Sequence, residues 1–68
     1  MHEGEIRQLA QLFALQADMH AVSARVEAMK ALNVERADRG LAQAYGEDAF
    51  EEASRELSAI AYAMRTQI

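Results

Sequence analysis

Two seams run along residues 6 to 32, and they constrain the fold more than any other feature of the sequence. The first seam holds large apolar side chains spaced alternately three and four residues apart: Leu12, Leu15, Met19, Val22, Val26 and Met29. The second holds small side chains at the same kind of spacing: Ala10, Ala14, Ala17, Ala21, Ala24, Ala28 and Ala31. The two seams lie on nearly opposite sides of a helix, so they predict one long helix that neighbours contact from two directions. The alternative for the alanines is an ordinary exposed helix surface, because alanine is the best helix former.

The composition limits the classes of protein to which the chain can belong. With 68 residues and no cysteine, it is expected to form a single domain over 1–68 that has no disulfide to stabilise a small core. Its net charge of −4 disfavours binding to nucleic acid or to an anionic membrane surface. No apolar run approaches the length of a membrane helix. The first residues lack the basic segment of a signal peptide, so we expect a cytoplasmic protein.

The positions of glycine and of charged residues predict an all-α hairpin with helices over about 5–39 and 47–66. Gly40 is the expected end of the first helix, in a left-handed conformation, with Leu41 folding back as the apolar partner of the helix cap. Asn33 is an alternative, earlier end. Acidic residues crowd the start of the second helix, where the helix dipole favours them.

The unequal lengths of the two helices predict a homo-oligomer, either a dimer or a larger bundle. Folded back as a hairpin, the second helix covers the first only from about residue 19 onward, at a rise of about 1.5 Å per residue. Large apolar side chains are then left without a partner in the same chain, and a two-fold dimer is the commonest way to cover them. The expected oligomer interface consists of Ile6, Leu9, Leu12, Phe13, Leu15, Met19 and Val22.

No arrangement of residues predicts catalysis, a cofactor or a metal site. His20 has no ligand partner three or four residues away on its helix, so it is expected to be a surface histidine. Glu52 and Glu56 are four residues apart, but without a second acidic cluster or a histidine they are expected to form a solvated charged face. We therefore expect a protein that is not an enzyme.

The best candidate for a ligand site lies near the tip of the hairpin, at Asn33, Arg36, Arg39 and Tyr45. Two guanidinium groups and an amide can hold a phosphate or a carboxylate, and a tyrosine ring can stack on a base. These residues therefore predict a site for a small anionic ligand such as a nucleotide. The alternative is a network of ion pairs that stabilises the end of a helix, since acidic residues lie in the same region.

Two segments resemble small uncharacterised helical proteins encoded by phages and prophages. They are Ala28-Met29-Lys30-Ala31-x-Asn33-x-x-Arg36 and Ala44-Tyr45-Gly46-Glu47-Asp48-Ala49-Phe50, within residues 28 to 60. The resemblance implies a non-enzymatic accessory role, either blocking a host factor or sequestering a signalling nucleotide. The leading hypothesis is a protein that binds a partner protein, through an acidic surface if that partner is basic. The second is a protein that binds a small anionic ligand at a subunit junction.

Overall fold

The computed structural model describes residues 2–66, which form a hairpin of two helices. Helix α1 spans Glu3–Asp38 and helix α2 spans Glu47–Thr66. The predicted all-α hairpin is confirmed, with each boundary close to the expected one. Acidic residues lie in the first turn of both helices and an arginine lies in the last turn of each, as the helix dipole favours.

Helix α1 ends at the glycine that the sequence predicts. Gly40 has a φ of 72° and its N–H donates to the carbonyl oxygen of Ala37 at 3.0 Å, while the N–H of Leu41 donates to that of Arg36 at 2.8 Å. These two bonds form a Schellman motif, which satisfies carbonyl groups that the helix end leaves free. The side chain of Leu41 stays exposed. The alternative end at Asn33 is wrong, because α1 continues through it.

The connection between the helices folds back along the last turns of α1. The side-chain amide of Asn33 donates to the carbonyl oxygen of Tyr45 at 2.8 Å, and the N–H of Tyr45 donates to Asn33 Oδ1 at 2.9 Å. Arg36 Nε donates to the carbonyl oxygen of Ala42 at 2.7 Å. Helix α2 therefore begins beside the region of Asn33 rather than beside the end of α1.

This fold-back extends the contact between the helices further than their lengths alone predict. Arg25 forms an ion pair with Glu56, so in this antiparallel pair Thr66, ten residues after Glu56, lies near Leu15, ten residues before Arg25. Leu15 is buried with 8% exposure. The expectation that Leu15 overhangs without a partner is wrong, because α2 starts about one helical turn closer to the beginning of α1.

The hairpin buries few side chains. Among residues 2–66, four are buried: Leu15, Val22, Met29 and Ala53. Five apolar side chains pack partly buried around three of these: Val26, Ala49, Phe50, Leu57 and Ile60. The Cα atoms extend over 58 × 16 × 10 Å, so the molecule is a thin rod one helix layer thick. Such a layer leaves much of its apolar surface without a protein neighbour.

Replacing Gly40 by alanine should lower the free energy of unfolding by about 1 kcal/mol, because an L side chain is strained at positive φ. A Cβ at Gly40 meets nothing within 4 Å, so the backbone conformation alone sets the effect. Gly4→Ala is the matched control, since a Cβ there also meets nothing and Gly4 lies within α1. It should leave stability unchanged or raise it by up to about 0.5 kcal/mol. Thermal unfolding followed by circular dichroism measures both changes, and equal effects would contradict the assignment of the helix end.

Candidate functional site

One flank of the hairpin is apolar. A helical residue three positions before a buried one is rotated by about 60° to one side of it, and a residue four positions after lies on that same side. Six half-buried apolar residues occupy these positions relative to the core of α1 or α2. We call them the apolar flank: Leu12, Met19, Val26, Phe50, Leu57 and Met64. Each keeps part of its surface in solvent, because α2 covers α1 from one direction only.

The apolar flank continues into the part of α1 that extends beyond α2. We call residues 3–14 the overhang, which is about 18 Å long at 1.5 Å per residue. Each step back by three residues from Leu15, to Leu12, Leu9 and Ile6, turns further in the same direction away from α2. Exposure rises from 8% at Leu15 to 42% at Leu9 and 54% at Ile6. Phe13, seven residues after Ile6, lies on the same side and is 68% exposed.

The opposite flank carries charge. We call Asp18, Arg25 and Glu56 the charged flank, since each lies three residues after or four before a core position of its helix. Arg25 donates to the carboxylate of Glu56, and both side chains are about half exposed. Such an exposed pair adds little to stability. Its geometry shows that the flank of α1 with Arg25 and the flank of α2 with Glu56 lie on the same face of the hairpin.

An open groove of about 370 Å³ lies between the helices on the charged flank. Asp18 and Glu56 contribute carboxylates to its walls, and the remaining lining is aliphatic: Ala21, Val22, Ala59 and Ile60. The groove has an acidic and apolar character that suits contact with a basic protein surface.

Most of the alanine seam lies away from α2, and Ala21 lies at the edge of the groove between the helices. All seven of its residues, from Ala10 to Ala31, are exposed in the single chain. The structure therefore leaves open a second close helix contact on this side, and within one chain these alanines act as helix-forming surface residues. On α2, Tyr62 likewise points away from the core and is 66% exposed.

The predicted ligand residues at the tip all take part in contacts within the chain. The Asn33 amide both donates to and accepts from the backbone of Tyr45. Arg36 donates to the carbonyl oxygen of Ala42 in the connection. Arg39 pairs with Glu35 at 2.8 Å. The structure thus brings Asn33, Arg36 and Tyr45 together at the fold-back, while Arg39 lies beside its own helix. Of these contacts only that of Arg39 with Glu35 is an ion pair, and both the anion site and the ion-pair network stay predictions.

The acidic residues of α2 form a surface without a metal-binding arrangement. Glu47, Asp48, Glu51 and Glu52 are exposed along its first turns. Glu56 turns to Arg25 of the other helix. Within residues 2–66, no group of three or more histidine and acidic side chains is placed to hold a metal ion. In the same part of the chain, neither helix has both the length and the apolar character needed to cross a bilayer.

The predicted oligomer interface combined residues of the first seam with Ile6, Leu9 and Phe13 and did not separate the two flanks. The structure buries Leu15 and Val22 inside the hairpin, whereas Met19 and Leu12 lie half-buried on the apolar flank. The cross-helix pair of Arg25 with Glu56 was missed. A signal was present, since both residues lie next to core positions of their helices, but the pairing depends on the register of the hairpin.

Comparisons with protein-family models, with curated proteins and with solved structures found no match. The function is therefore inferred from the surfaces of this chain.

Replacing Asn33 by alanine should lower the free energy of unfolding by about 1–2 kcal/mol, because both hydrogen bonds to the backbone of Tyr45 are lost. Glu35→Ala is the control. It removes an exposed pair with Arg39 in the same part of α1 and should change stability by less than about 0.5 kcal/mol. Urea unfolding followed by circular dichroism measures both, and an unaffected Asn33→Ala midpoint would show that this contact does not hold the connection.

Proposed function

We propose that this protein is a small non-enzymatic accessory protein of the cytoplasm, and that it acts by binding a partner protein as an oligomeric helical bundle. The observation that carries this proposal is the apolar flank with its continuation in Ile6, Leu9 and Phe13. A continuous exposed apolar surface on a small protein typically marks a site for another protein. No arrangement for chemistry accompanies this surface within the described residues.

The acidic surface of α2 supports a basic partner. Glu47, Asp48, Glu51 and Glu52 are exposed together, and the chain has a net charge of −4. Opposite charge on a partner would speed association and exclude partners of like charge. In a protein of the phage-encoded type that the sequence resembles, such binding would block a host factor.

A second candidate function is the binding of a small anionic ligand at the tip. Its support is the proximity of Asn33, Arg36 and Tyr45 at the fold-back. Against it stands the use of the Asn33 amide and Arg36 Nε in holding the connection. An anion would have to be held by the remaining guanidinium nitrogens, with a second subunit completing the site.

Native mass spectrometry of the protein, purified gently from its host, tests the two functions together. The partner-protein function predicts that a second protein of defined mass is retained. The ligand function predicts extra mass of a few hundred daltons on the oligomer instead. A bare assembly with neither addition would count against both.

Charge variants then separate the two functions. Glu51→Lys combined with Glu52→Lys should abolish retention of the partner protein, because both side chains are exposed on the acidic surface. Arg36→Ala is the control for this variant, and it should leave the partner bound. If instead Arg36→Ala removes a small-molecule mass while the assembly stays intact, the ligand function is supported and the partner function is not.

A further inference from the structure

We propose that a second copy of this chain covers the apolar flank, in an antiparallel two-fold dimer in which the overhang of each copy lies on the hairpin tip of the other. The inference rests on the proposed function only in requiring a bundle of more than one copy. It adds the surface that the copies share and their orientation. It leaves the charged flank and the acidic surface of α2 free for a different protein.

The accessible surface of the single chain is large enough to supply such a contact. The chain exposes 5242 Å², whereas a compact monomer of 7.6 kDa is expected to expose about 4,300 Å². The excess of about 900 Å² is close to the roughly 800 Å² that each partner buries in a stable interface. The radius of gyration is 16.6 Å, against about 11 Å for a compact chain of this length, because the hairpin is a thin rod.

The charges decide which flank the copies share. In a two-fold interface a surface patch meets the same patch of the other copy, so a patch with a net charge meets a patch of the same net charge. The charged flank holds the two carboxylates of Asp18 and Glu56 against the single guanidinium of Arg25, so two copies of this flank would repel one another. The apolar flank carries no charged side chain, and its border between Leu9 and Val26 is formed by the neutral residues Gln16 and Ser23. The apolar flank is therefore the self-complementary one.

The exposed apolar residues of α1 and of the connection decide the orientation, because they concentrate at the two ends of the rod. Ile6, Leu9 and Phe13 lie at one end and Val34 and Leu41 at the other. Val34 lies on the same side of α1 as Ile6 and Phe13, since steps of seven residues connect them. The residues between them at this spacing, His20 and Glu27, are polar. An antiparallel dimer centred near His20 places Ile6 of each copy beside Val34 of the other.

Two other arrangements fit this surface less well. A dimer joined end to end through the overhangs would leave the middle of the apolar flank, at Met19, Val26 and Leu57, in solvent. A parallel dimer would cover the flank but would place overhang on overhang and tip on tip. It would bring the acidic starts of the two α2 helices to the same end.

Molar mass in solution tests whether the second copy binds. Light scattering on a sizing column should give twice the 7.6 kDa of one chain. Phe13→Asp should weaken dimerisation by roughly a hundredfold, since the change occurs twice and each lost apolar contact is worth about tenfold or more. Tyr62→Asp is the matched control. Its side chain is 66% exposed against 68% for Phe13, but it turns towards the charged flank of α2 rather than towards the apolar flank, so the dimer should persist. A monomeric wild type, or equal loss in both variants, overturns the proposal.

Distances between spin labels test the orientation independently of any destabilising change. The sequence has no cysteine, so Ala10→Cys, Ala17→Cys and Gln43→Cys each carry one label per copy. All three positions are exposed, and none belongs to the apolar flank. The antiparallel dimer predicts the shortest distance at Ala17, about 30 Å of axial separation at Ala10, and the longest distance at Gln43. An end-to-end dimer makes Ala10 the shortest, and a parallel dimer makes all three similar. Either result overturns the orientation.

These measurements also distinguish this inference from the proposed function. A monomer that still retains another protein in native mass spectrometry would refute the dimer and keep the partner-binding function. An antiparallel dimer that retains no other protein would support this inference and remove the support for a separate partner.

Discussion

The position of α2 along α1 depends on one local contact, the pairing of the Asn33 amide with the backbone of Tyr45. A side-chain amide that both donates to and accepts from the same residue fixes the backbone much as a strand pair does. Because α2 begins immediately after this contact, its register along α1 follows from it. That register buries Leu15 and places Arg25 beside Glu56. It also determines which apolar residues α2 leaves uncovered.

The difference between the two flanks follows from a geometric limit. One helix can cover another from a single direction, whereas the apolar seam of α1 is wider than one contact. Residues at its centre, such as Val22 and Met29, are buried, while Met19 and Val26 beside them are half-exposed. A chain of this size buries too little surface for a large core, so contact with another chain is the natural way to complete the structure. The proposed association would therefore also stabilise the hairpin.

The separation of apolar from charged surface is the basis for proposing two different kinds of contact. An apolar and neutral flank suits a copy of itself, because no like charges meet there. Acidic surfaces on α2 and around the groove at Asp18 suit a partner of opposite charge. A helical bundle that presents acidic faces outward is a simple means of occupying a basic surface on another protein. No cleft with converging reactive groups competes with this role in the described residues.

The sequence by itself determined the elements. Its alanine content, its lack of proline, the seam spacing and Gly40 predict two helices and their ends, because helix periodicity and the positive φ of a helix cap are local properties. The tertiary structure decided the register, since Asn33 and Tyr45 are twelve residues apart and their contact depends on how the connection folds back. It therefore also decided the burial of Leu15 and the pairing of Arg25 with Glu56. The candidate ligand residues illustrate the same limit: their types fit an anion, but only the fold shows that Asn33 and Arg36 hold the connection.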